Sequence, residues 1–165
     1  MATSIIRVAL FGPSGSGKTV FRKVLLGQQV RDTRPNRRAV RRNIQRTYRM
    51  ETKVIGDVGT IRYTLGLIDV PGRMDLRDIR LNVLNRVCGY IFFYDSTDPK
   101  SPELLLEMIR SELKEKKKFK SMLASIVVGS KKDLGVNKEA VDRAQDIVDE
   151  LSNYTLRYYG YEVPH

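Results

Sequence analysis

The residues Gly12-Pro13-Ser14-Gly15-Ser16-Gly17-Lys18-Thr19 bring together the groups needed to hold a chain of phosphates. Glycines let successive backbone N–H groups curl around phosphate oxygens, a lysine ammonium reaches the outer phosphates, and a hydroxyl next to it ligates Mg²⁺. The spacing fits G-x-x-x-x-G-K-[ST], a pattern whose mechanism requires a strand before it and a helix after it. On that chemistry Gly12, Ser14, Gly15, Ser16 and Gly17 form the cradle, Lys18 reaches the β and γ phosphates, and Thr19 holds the metal. A glycine-rich turn with no ligand is the alternative.

Two later segments extend the pattern. Asp69-Val70-Pro71-Gly72 follows the apolar run Gly66-Leu67-Ile68, which places Asp69 at the carboxyl end of a strand, where ligands of open α/β sheets bind. There it can hold Mg²⁺ through water, with the Gly72 N–H as a donor that senses a γ phosphate. Gly129-Ser130-Lys131-Lys132-Asp133 again ends an apolar strand. A carboxylate at Asp133 can accept from both N1–H and the exocyclic amine of guanine, a donor pair adenine lacks, while the Lys131 stem packs along the ring.

The elements that must position these residues are legible in outline. Ile5 to Phe11 reads as a buried strand, and Val20, Phe21, Val24 and Leu25 form a helical stripe closed by Gly27. Thr47 to Ile55 and Gly59 to Ile68 read as an antiparallel pair turning at Gly56 to Gly59. Val87 to Tyr94 and Met122 to Val128 are continuous apolar runs of the kind central parallel strands require, with Cys88 as a small core residue of the first. A helix is expected from Ser101-Pro102 with Leu104, Leu105, Met108, Ile109 and Leu113 inward, and another after Asn137 with Val141, Ala144, Val148 and Leu151 inward. The expected architecture is α/β: a mostly parallel central sheet with one antiparallel edge hairpin and helices on both faces.

With three motifs in this order, the chain resembles the Ras-like small GTPases of the P-loop NTPase superfamily. The phosphate loop, D-x-x-G and the base motif N-K-x-D correspond, and Tyr94-Asp95-Ser96-Thr97-Asp98 is similar to the segment after that family's fourth strand. The resemblance covers nearly the whole chain, and implies a P-loop NTPase fold and a GTP/GDP switch controlled by effector and regulatory proteins. Three departures stand out. Ser130 takes the place of the Asn. Arg73 takes the place of the Gln that orients attacking water, which implies slow, partner-assisted hydrolysis. Tyr159 to His165 resembles the lead-in to the family's last strand, but its guanine loop and final helix are absent from residues 1–165, which read as a single GTP-binding domain; either the chain is cut short or the protein completes its sheet differently. The metal-binding threonine of the first switch is Thr47 counted back from Asp69; Thr33, or none, are the alternatives. Two rival readings remain: a GTP-binding interaction module that does not hydrolyse, and a P-loop kinase.

Composition bounds the partners. A 165-residue chain with 41% hydrophobic residues suits one core, and no run is long enough to span a bilayer. With no Gly at position 2, no C-terminal C-a-a-X box and one cysteine, the expectation is a cytoplasmic protein without its own lipid anchor or disulfide. The net charge of +11 favours anionic partners. Eight arginines between Arg31 and Arg49, against Asp32 alone, suggest a surface for an acidic protein face, ahead of nucleic acid or anionic lipid and of a solvated loop without a partner. Lys114 to Lys120 read as a solvated helix end.

Overall fold

The computed structural model describes residues 2–30, 50–84, 87–113 and 124–159. Thr33, Thr47, the arginine-rich stretch, the lysine cluster and Gly160 to His165 lie outside the described residues. The elements run β1 (Ala2–Phe11), α1 (Lys18–Leu25), β2 (Glu51–Val58), β3 (Ile61–Asp69), α2 (Arg77–Leu84), β4 (Gly89–Asp95), α3 (Lys100–Met108), β5 (Ala124–Ser130) and α4 (Lys138–Tyr159). The five strands form one sheet in the order β2-β3-β1-β4-β5. Only β2 and β3 pair antiparallel; the other pairs are parallel. This is the expected α/β class with one antiparallel edge pair.

Period-2 alternation divides the central strands between two cores. Ala9 and Phe11 of β1, with Ile68, Tyr90, Phe92 and Tyr94, face α3 and α4, which contribute Leu105, Met108, Ile109, Ala140, Ala144, Ile147 and Leu151. Phe92 packs edge-on against Phe11 and stacks on Tyr90. On the other face Leu10, Leu67 and Phe93 meet Phe21 and Leu25 of α1. Among the described residues α1 alone covers that face, and Val20, Val24, Ile126 and Leu134 stay largely exposed. No described helix is long and apolar enough to cross a membrane.

Several boundaries differ from the sequence reading. The hairpin turns at Gly59 and Thr60, where Gly59 takes a left-handed conformation (φ 58°), and a register shift between Val54 and Gly56 absorbs the earlier glycine. The inward stripe of α4 runs Ala140, Ala144, Ile147, Leu151, with Ala140 and Ile147 in place of the expected Val141 and Val148; Val141 is exposed. Asn137 sets the phase of that stripe: its Oδ1 accepts from the Ala140 amide at 3.2 Å, capping the helix. Leu105 and Met108 of α3, and Ile109 just after it, are buried as expected, and Leu104 is exposed. Cys88 is only half-buried, its thiol donating to the Arg7 carbonyl. α2, absent from the sequence reading, fills the interval between β3 and β4, and α3 continues as a π turn, Ile109–Leu113.

Candidate functional site

Strand order fixes where the three motifs meet. From β1 the chain builds β2 and β3 on one side and then crosses to β4 and β5 on the other, so the crevice at the carboxyl end of β1 is a topological switch point. In register, Leu10 stands beside Asp69 and Asp95 beside Ser130. The loop after β1, the turn after β3 and the turn after β5 therefore open at the same end of the sheet.

The loop from Gly12 to Thr19 is held by its neighbours. Gly12 (φ 151°) runs so close to β4 that a Cβ would lie 2.2 Å from the Phe93 carbonyl oxygen. Gly17 (φ 81°) starts α1 in a left-handed conformation, and its added Cβ would meet that of Ser130 at 3.0 Å. Phe21 is the first residue of this turn whose amide bonds back, to Gly17 O at 2.9 Å. The helix start thus points the amides of Lys18, Thr19 and Val20 out of the ladder, the arrangement that favours an anion.

Lys18 is buried, with Nζ donating to the carbonyls of Gly12 (2.8 Å) and Pro13 (2.6 Å) and to Ser16 Oγ (3.2 Å). The loop's own oxygens occupy all three of its protons. Burial pushes the ammonium down to about 8; Asp69 opposes that shift and the Arg80 charge adds to it. An anion close to Nζ would reverse much of that cost.

Thr19 Oγ1 donates to Asp69 Oδ2 at 2.6 Å, and Asp69 is itself buried. These two hard oxygens suit Mg²⁺, which keeps most of its shell for phosphate and water. Among the described residues no cluster of three His, Cys, Asp or Glu side chains forms a fuller cage. Gly72 lies flat against the loop: a Cβ on it would stand 2.3 Å from Ser14 N and 2.4 Å from the Pro13 carbonyl carbon. The residues present therefore fit a magnesium-bound phosphate chain. Arg73, by contrast, turns to its own loop, with Nε 3.0 Å and Nη2 2.7 Å from the carboxylate of Asp75, and is half exposed.

At the end of β5, Ser130 Oγ donates to Tyr94 O at 3.1 Å, while Ser130 O accepts from Ser96 Oγ at 2.6 Å. Lys131 adopts φ 60° and pairs with Asp95 at the end of β4. Burial alone would raise the Asp95 carboxyl, but hydrogen bonds from Lys131 and from the hydroxyl and amide of Thr97 outweigh it and hold the group below its usual range. Asp133 sits exposed in a short 3₁₀ turn. Lys131 and Asp133 line one cavity of about 450 Å³ together with Gly17, Phe21, Phe93 and Val128.

The structure thus gathers Gly12 to Thr19, Asp69, Gly72, Ser130, Lys131 and Asp133 at one end of the sheet, and directs Arg73 to Asp75. Sequence reasoning missed the Lys131–Asp95 pair and the buried Arg80–Glu112 pair. Asp95 carried a signal, as a carboxylate ending an apolar strand; Arg80, amid the polar residues of α2, carried none. The chain matches no protein-family model and no curated protein.

Proposed function

We propose that this chain binds GTP and GDP with Mg²⁺ and serves as a slowly hydrolysing switch, in the manner of the Ras-like small GTPases and on a P-loop NTPase fold. The observation that carries the reading is the convergence on the Gly12–Thr19 loop of the Asp69 carboxylate, bonded to Thr19, and of Gly72, packed on Ser14. Lys131 and Asp133 in a cavity shared with Gly17 supply the base-reading part of the argument.

In this reading the amides at the start of α1 bind the phosphates, and Lys18 exchanges its loop carbonyls for phosphate oxygens. Thr19 and Asp69 hold Mg²⁺, which supplies positive charge to the β and γ phosphates. The Gly72 N–H senses the γ phosphate, and Asp133 selects guanine by accepting two hydrogen bonds. Hydrolysis adds water to the γ phosphorus and breaks its bond to the bridging oxygen, yielding GDP, phosphate and a proton. Arg73 has five donors and no acceptor, so it cannot orient that water by accepting from it. Turnover then depends on a partner, with effectors and regulators as the expected ligands of a cytoplasmic switch.

Extraction and chromatography of the co-purified nucleotide, followed by titration with GTP, GDP and ATP in Mg²⁺, tests this. GTP and GDP should bind at least about 100-fold more tightly than ATP, a difference of about 2.8 kcal/mol. Equal binding of ATP would remove the guanine reading. A second reading, a GTP-binding module without hydrolysis, is favoured by the Arg73–Asp75 pair; absence of phosphate release from bound GTP would select it.

A further inference from the structure

Arg80 and Glu112 are both fully buried side chains, and they face each other. Two buried charges are tolerated only when hydrogen bonding around them is complete, and an apolar pair of similar volume is often at least as stable. Arg80 meets that demand: Nε lies 2.9 Å from each Glu112 oxygen, and Nη2 donates to the same carboxylate. Nη1 does something an apolar side chain could not, donating to the carbonyls of Pro71 (3.2 Å) and Arg73.

Those carbonyls flank Gly72, the residue packed on Ser14 of the phosphate loop. Glu112 stands in the π turn Ile109–Leu113, and such turns inside α-helices recur at functional sites. A second tie runs parallel, Arg77 Nη2 donating to the Ser111 carbonyl at 2.7 Å.

We propose that Arg80, oriented by Glu112, is a positioning residue that fixes the Pro71–Arg73 backbone so that Gly72 stays against the phosphate loop, linking triphosphate occupancy to the π turn after α3. The link to the triphosphate rests on the guanine-nucleotide reading above; the positioning role does not. When the Gly72 amide turns to a γ phosphate, the carbonyls on either side of it turn too. Arg80 holds both, and passes the displacement to Glu112.

Arg80→Lys keeps the charge and removes the planar fork. Glu112→Gln keeps the shape and removes the negative charge. Hydrogen exchange of the Val70 and Leu76 amides, which bond to the Leu10 and Arg73 carbonyls at either end of the turn, reads the positioning directly without added nucleotide. In both variants these amides should exchange at least about tenfold faster while those of β1 hold their rates, the mark of a local opening. In Mg²⁺ the affinity for a non-hydrolysable GTP analogue should fall about tenfold or more, with GDP affinity changing less than about threefold. Unchanged exchange at Val70 and Leu76 overturns the proposal. So does equal weakening of both nucleotides together with a lower melting temperature, which marks a merely structural pair. Should Arg80→Lys fail to fold, Glu112→Gln decides by the same readouts. If the unmodified protein binds neither nucleotide, the functional reading and the link to the triphosphate fall together, and the exchange rates alone decide whether Arg80 positions the turn.

Discussion

Thr19 and Asp69, 50 residues apart in the chain, share a 2.6 Å hydrogen bond between hydroxyl and carboxylate at the carboxyl end of β1. Thr19→Ala leaves the buried Asp69 carboxylate short of a donor, at a cost of about 1 to 3 kcal/mol of folding stability. Urea denaturation checks that figure. The same variant should lose the Mg²⁺ dependence of nucleotide affinity. If chelating Mg²⁺ weakens nucleotide binding as much in the variant as in the unmodified protein, the metal is not held here.

Gly72→Ala should separate triphosphate from diphosphate binding. The added methyl would lie 2.3 Å from Ser14 N and 2.6 Å from Gly12 O, atoms of a backbone that cannot swing aside like a side-chain tip. The turn must move away from the phosphate loop. Affinity for a GTP analogue should drop by at least about tenfold, or about 1.4 kcal/mol, with GDP much less affected. Calorimetric titration of both ligands decides it, and an equal loss for both would detach Gly72 from the γ position.

Asp133→Asn replaces one acceptor by a donor at the position assigned to guanine. GTP affinity should fall by about 1.5 to 3 kcal/mol, and xanthosine triphosphate, which presents the complementary pattern, should gain. Competition between the two nucleotides gives the answer. GTP affinity that survives unchanged would place the base elsewhere.

Arg73, paired with Asp75, offers no acceptor to a water molecule. Intrinsic GTP turnover should be well below about one per minute, on the scale of an unassisted Ras-like protein. Arg73→Gln should raise the single-turnover rate. Fast turnover by the unmodified protein that persists in Arg73→Ala would mean that a different residue orients the water.

Lys18 makes both stability and phosphate affinity depend on pH, in opposite directions. Its folded value is lowered from 10.5 to about 8, so between those values the unfolded chain binds more protons than the folded one. Without nucleotide, this group's contribution to stability is at its least favourable below about 8 and improves as pH rises from there towards 10.5. Phosphate binding runs the other way, because it needs the ammonium: affinity should decline above about pH 8, with proton uptake on binding. Calorimetry in buffers of different ionisation enthalpy measures that uptake; none at pH 9 would show that Lys18 stays clear of the phosphates.

The strand, glycine loop and helix around Gly12 to Thr19 were legible because the chemistry expected of that pattern demands particular residue types at consecutive positions between a strand and a helix. Asp69 and the Ser130–Asp133 turn were legible because each ends an apolar strand. The pairing of Arg80 with Glu112 was not: an arginine on a polar helical stretch reads as solvated, and its partner lies 32 residues on, brought in by the packing of α2 against the π turn. Lys131 read as a platform for the base; its bond to Asp95 appears only once β4 and β5 stand side by side. The hairpin turn slipped because Gly56 and Gly59 both read as turn residues, and only pairing with β3 shows that the first lies within the strand.

The sheet order also bears on how the chain is made. β1 leaves the ribosome first, yet both its neighbours, β3 and β4, come later, and β4 begins at Gly89. At about 5 to 20 residues per second, the wait between Phe11 and Gly89 is on the order of 4 to 16 seconds. Until then one edge of the central strand stands open, and Gly12 lacks the Phe93 carbonyl that confines it. During synthesis, then, the residues proposed to cradle phosphate are translated early and shaped late.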